Sequence, residues 1–149
     1  MKNDKEEWLT FALVFYAVQI LFRTLYNRYW FTNPVSNVFG TWGFYTEKNG
    51  EMVLTTEVPE NIILFLPFII LLFIRYKEKI FGEKVLLGKV IWQSIKIAFI
   101  SSFIIESLQL FLRLGTWQLS DLAFNTLGGL IGGLVYWIGY KVKHRESKR

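Results

Sequence analysis

Four stretches of this chain are apolar over the length of a membrane-spanning helix: residues 8–26, 58–76, 88–112 and 121–140. A span needs about 20 predominantly apolar residues, and each stretch reaches that length. Lipid offers the backbone no water to pair with, so each stretch must satisfy its own amides, and helix is the default. The pattern therefore predicts an all-α membrane protein, with four transmembrane helices in an antiparallel bundle. The first stretch is too long for the apolar region of a signal peptide, and no small-residue cleavage site follows it. It reads as a retained anchor. The 149 residues leave room for one domain, 1–149, with a long loop over 27–57 and a basic tail over 141–149.

The net charge of +5 does not point to nucleic acid, because the basic residues sit at the ends of the apolar segments, where they act as orientation signals. The connection 75–84 holds four Lys and Arg and the tail five; the loop 27–57 holds two and the connection 113–120 one. That bias places the tail, and with an even number of spans both termini, in the cytoplasm. Trp8, Trp92 and Trp137 then fall at the inner interface, and Trp30, Trp42 and Trp117 at the outer one. The tail itself is suited to anionic lipid. There is no cysteine, so disulfides and thiol chemistry are excluded. His144 is the single histidine, which rules out a His-rich metal site within one chain.

In the long outer loop, Asn49-Gly50 separates Phe44, Tyr45 and Thr46 from Met52, Val53 and Leu54. Asn-Gly supplies the positive φ angles of a tight hairpin turn, so a small extracellular β-hairpin is expected there. Alone in water it would be marginal, and it should rest on the helix ends or the lipid surface.

The polar residues inside the apolar stretches are few and unevenly placed. An ionisable group at membrane depth costs about 2.5–3.5 kcal/mol on the mild insertion scales and usually marks function. Glu106 stands in an almost wholly apolar run, about 9 Å below the outer end of its helix at ~1.5 Å per residue. Gln109 lies one turn above it on the same face. Asp121 and Asn125 share a face at the start of the fourth helix, Asn61 lies near the start of the second, and Arg23 and Gln19 lie near the end of the first. All of them fall in the outer half of the bundle. In the inner half only Lys89 and Lys96 do, and both can reach toward the cytoplasm. Below Asn125, the glycines Gly128, Gly129, Gly132 and Gly133 form two overlaid small-xxx-small pairs that let another helix approach closely. Pro67 should kink the second helix and free a carbonyl near Ile63 for a neighbouring donor.

Three of these segments resemble the VanZ family: Asn61-Ile-Ile-Leu-Phe65-Leu-Pro67-Phe68, Glu106-Ser-Leu-Gln109, and Asp121-Leu-Ala-Phe-Asn125-Thr126-Leu-Gly128-Gly129. They occur in the family's order, and the resemblance covers roughly 58–140. The family takes its name from a bacterial membrane protein associated with resistance to the glycopeptide teicoplanin. The resemblance implies a multi-pass protein of the bacterial plasma membrane with a cell-envelope role, lowering susceptibility to glycopeptide antibiotics through an outward-facing polar pocket. In that reading the pocket of Asn61, Glu106, Gln109, Asp121, Asn125 and Arg23 engages membrane lipid, a lipid-linked cell-wall precursor or another envelope protein.

The residues themselves leave alternatives open. Glu106 either handles a substrate, ion or proton, or forms an ion pair with Arg23 that fixes helix register. Asp121, with Ser120, sits where a helix N-cap belongs. Asn61, Gln109 and Asn125 serve as ligands or as hydrogen bonds between helices. Arg23 either anchors at headgroup level or pairs inward. As catalytic candidates, Glu106 and Asp121 could supply a general acid and base for a membrane enzyme acting on a lipid or lipid-linked substrate. A small transporter or proton relay is the third reading. No cofactor is required by the sequence; the carboxylate and amide oxygens would suit Mg²⁺ or Ca²⁺. Ser102 shares a face with Glu106, but serines on membrane helices usually bond back to their own backbone.

Overall fold

The computed structural model describes residues 2–26, 30, 32–48 and 50–146. Asn49 of the predicted turn, Asn27 and Arg28 at the start of the long loop, and positions 147–149 of the basic tail lie outside the described residues. Four helices are long and apolar enough to cross a membrane: α1 (Lys2–Leu21), extended by a π-helical turn (Phe22–Tyr26), α2 (Glu57–Phe81), α3 (Leu87–Leu112) and α4 (Leu119–Glu146). Between α1 and α2, β1 (Tyr45–Lys48) and β2 (Glu51–Leu54) form an antiparallel hairpin that pairs Tyr45 with Leu54 and Lys48 with Glu51. Gly50 supplies a φ of 84° at its turn. The helices contain the apolar stretches and overrun them at polar ends; α1 starts six residues before the predicted 8, α2 continues five residues past the predicted 76 and α4 starts two before the predicted 121.

Helix α4 is the centre of the bundle. It packs most extensively on α2 and next on α3, while α1 lies on the outside of α2. The four glycines explain how one helix serves two neighbours. A Cβ on Gly128 or Gly132 would run into the backbone carbonyls of Ile62 and Leu66 on α2. On Gly129 or Gly133 it would meet Ala98 and Ser94 on α3. Each overlaid pair is therefore spent on a different partner, and close packing replaces the hydrophobic drive that lipid does not provide. Phe65, Ile69 and Phe73 of α2 are fully buried against this assembly. Phe73 meets Phe81 and Tyr136 edge to face at 4.8 and 5.4 Å, which locks α2 to α4 at the end opposite the long loop.

Helix ends are closed by local chemistry. Gly82 ends α2 with a φ of 69°, its N–H donating to Glu78 O at 2.9 Å. At the end of α3, Arg113 takes the left-handed conformation, and the N–H groups of Arg113 and Leu114 return to the carbonyls of Leu110 and Gln109. Helix α2 keeps helical dihedrals through Pro67. The residue that leaves helical dihedrals is Tyr76, nine positions on. The carbonyl that Pro67 cannot bond, Ile63 O, faces the hydroxyl of Tyr16 on α1 at 3.5 Å, so the lost donor is replaced from a neighbouring helix.

Candidate functional site

Glu106 is 2 % exposed, in the last turns of α3. Its carboxylate accepts the backbone N–H of Gln118 at 3.2 Å, an amide in the short connection that turns the chain into α4. The side chain thus holds the entry to the next helix. Asp121 is in the first turn of α4 and accepts from Asn61 Nδ2 of α2 at 2.6 Å. A negative charge there is also favoured by the amides at the helix N-terminus.

Two further bonds tie the remaining elements in. Asn125 Nδ2 on α4 donates to Ser102 Oγ on α3 at 2.9 Å, both residues being buried. Gln109 Nε2 donates to Thr24 O in the π-helical turn at 2.7 Å, joining α3 to the end of α1. Asn61, Glu106, Gln109, Asp121 and Asn125 all lie at one end of the bundle, and their bonds connect all four helices. Two acceptors in the group, Gln109 Oε1 and Asn125 Oδ1, are buried and have no hydrogen-bond partner among the described residues. The cluster is rich in acceptors and could receive a donor.

Two readings that the sequence left open fall away. Arg23 does not pair with Glu106; it forms an ion pair with Glu60 of α2 at 2.5 Å, with both side chains about half exposed. The face of α1 that meets the bundle carries Leu13, Ile20 and Thr24, which leaves Gln19 and Arg23 on its flank. Asp121 is not an N-cap, because α4 already begins at Leu119. Asp121 is slightly more exposed than Glu106, at 7 %, but it is equally part of the interior. The described bond from α4 to α3 ends on Ser102, a residue passed over because serine hydroxyls commonly bond their own helix.

The cluster has a roof that the sequence did not announce. Segment 34–42 of the long loop lies across the α3–α4 connection. Trp117 N–H donates to Pro34 O and Leu119 N–H to Val38 O, each at 2.8 Å, and Thr41 N–H donates to Ser120 Oγ at 3.1 Å. Gly40, with a φ of 70°, passes so close to Ser120 that a Cβ would collide with its hydroxyl. Trp42 rests on Phe124, and Arg113 lies over the Trp30 ring. Most of these partners are backbone groups, which leave no mark in a sequence.

Beside the cluster, a cleft of about 450 Å³ opens between α1 and α2. Its polar lining is Tyr16, Gln19, Arg23 and Glu60, and its apolar lining includes Ile20 and Leu64. The α1 stripe identified in the sequence therefore lines a cleft, whereas the α3 and α4 residues are packed inside the bundle. Among the described residues, no group of three or more His, Cys, Asp or Glu side chains is placed to hold a metal ion.

A family model described as VanZ/LLP1 matches residues 8–140. The chain is similar to Protein VanZ of Enterococcus faecium, with 29 % identity over 93 residues. The matched stretch is 62 % of this chain and 50 % of that protein, so the chain spans about half the length of this relative. No solved structure gives a significant match.

Proposed function

This chain belongs to the VanZ/LLP1 family, and from that membership we propose that it works in the bacterial plasma membrane to lower susceptibility to glycopeptide antibiotics such as teicoplanin. The reading rests on one observation. The three segments that resemble the family, far apart in the sequence, supply the acceptor cluster at one end of the bundle, with Asp121 held by Asn61 and Glu106 holding Gln118. An intramembrane carboxylate is by default a functional group, and here two are enclosed together.

In this reading the cluster end faces outward and both termini are cytoplasmic. The site engages a lipid-linked cell-wall precursor, which approaches through the cleft between α1 and α2. The cleft volume lies within the range of small-molecule sites. Its lining suits an amphiphile, with Arg23 and Glu60 toward the helix ends and apolar Ile20 and Leu64 about one turn further in. Asn61 follows Glu60 of that cleft directly in the chain and reaches Asp121, linking the cleft to the cluster.

The test is expression in a glycopeptide-susceptible Gram-positive host, with protein level and drug susceptibility measured together. Wild type should raise the inhibitory concentration of teicoplanin. Glu106→Gln keeps shape and one acceptor but removes the charge, and should express normally while losing the effect. A Glu106→Gln protein that still protects, or wild-type protein that never does, overturns the proposal.

A further inference from the structure

We propose that the opposite end of the bundle carries a binding site for an anionic phospholipid, in a cleft formed by α1, α2 and α4. The cleft measures about 650 Å³. Three lysines stand at its rim, Lys5 from α1, Lys77 from α2 and Lys143 from α4, with His144 beside them. No acidic side chain is among its lining residues. Deeper in the bundle the lining turns apolar, with Leu9 one turn below Lys5 and Ile70 and Ile74 below Lys77. Cationic groups at the helix ends above an apolar floor reproduce the profile of a phospholipid, phosphate above and acyl chain below.

Basic residues at the ends of membrane helices are commonly no more than orientation signals. Three observations separate this cleft from that case. The cations converge from three helices on one concavity, the arrangement that captures anionic headgroups between helices. Tyr140 holds two of the basic residues in place: Lys77 Nζ lies 5.0 Å from the centre of its ring, and His144 Nδ1 is 2.8 Å from its carbonyl. The third is an aromatic wall: Tyr136, 8 % exposed, stacks on Tyr140 with ring centres 6.3 Å apart, and both residues line the cleft. Of the acids beside Lys5 in sequence, Asp4, Glu6 and Glu7, Glu6 is engaged by Arg75 at 3.6 Å. The cleft also has an open notch, since a Cβ on Gly139 would meet nothing within 4 Å. None of this depends on the role proposed for Glu106.

The experiment uses the full chain purified in mild detergent, with phosphatidylglycerol added against phosphatidylcholine. Bound lipid is counted by native mass spectrometry, and the melting temperature is followed in parallel. Wild type should retain phosphatidylglycerol selectively and melt higher in its presence. Changing Lys5, Lys77 and Lys143 together to Gln should weaken retention on the order of a hundredfold. Gly139→Leu leaves every charge in place but fills the notch, and should weaken it as well. A charge-matched control, with Lys79, Lys84 and Lys141 changed to Gln, should bind as wild type does. Equal loss in the control would mean diffuse attraction to the basic end and would overturn the site. Undiminished binding by Gly139→Leu would overturn it too, and that variant decides the matter if the triple lysine variant fails to fold.

Discussion

Asn61 of α2 and Asp121 of α4 stand 60 residues apart in the chain and share a hydrogen bond of 2.6 Å. It is the polar contact between the two helices that the glycine stripe brings together lower down. Replacing Asn61 with Leu should cost about 1.5–3 kcal/mol, the range for a bond to a charged group left without that partner. Thermal unfolding in detergent measures it. The double variant with Asp121→Leu should lose less than the sum of the two single changes, and strict additivity would show that the bond contributes nothing.

Arg23 gives the contrasting case. Its ion pair with Glu60 is about half exposed, and pairs of that kind contribute about 0–1 kcal/mol. Arg23→Met should therefore leave the melting temperature almost unchanged, and it should not rescue any loss caused by Glu106→Gln. A clear rescue would place Arg23 beside Glu106 and contradict the described pairing.

The α4 glycines should not be interchangeable. Gly128→Ala and Gly132→Ala each push a methyl group into an α2 carbonyl, and should destabilise by about 1–3 kcal/mol, as overpacking does. Gly139→Ala, on the same helix but facing open space, should stabilise by about 0.5–1 kcal/mol through helix propensity alone. Chemical or thermal unfolding of the three variants side by side checks the order, and equal effects would refute it.

Orientation can be read with single cysteines, because the chain has none of its own. Met52 on β2 and Arg145 near the end of α4 are both exposed. With the cluster end outward, Met52→Cys should react with an impermeant maleimide on intact cells, and Arg145→Cys only after permeabilisation. The reverse pattern would turn the bundle over and remove the outward-facing site.

The spans, the hairpin and the depth of the polar groups were legible in the sequence because each follows from a local rule: apolar length, turn chemistry, rise per residue. The five residues Asn61, Glu106, Gln109, Asp121 and Asn125 could be placed at one end by the same reasoning. Partner choice could not, because it depends on how far each helix is rotated about its own axis. One flank position is enough to give Arg23 to Glu60 and to hand the Asn125 amide to Ser102. The Gln118 amide, the Thr24 carbonyl and the Pro34 and Val38 carbonyls were beyond reach for a second reason. They are main-chain groups, and every residue carries the same ones.

The strap formed by 34–42 has a consequence for how the protein is made. Its partners, Trp117, Leu119 and Ser120, are translated after three of the four helices, with 79 residues separating Thr41 from Ser120. The loop must wait, unfastened, until the last helix enters the membrane. A chain cut short before α4 should therefore be cleaved within 34–42 by added protease, while the complete chain resists; equal cleavage would disprove this. Closure of that loop would then mark a chain whose last helix is in place.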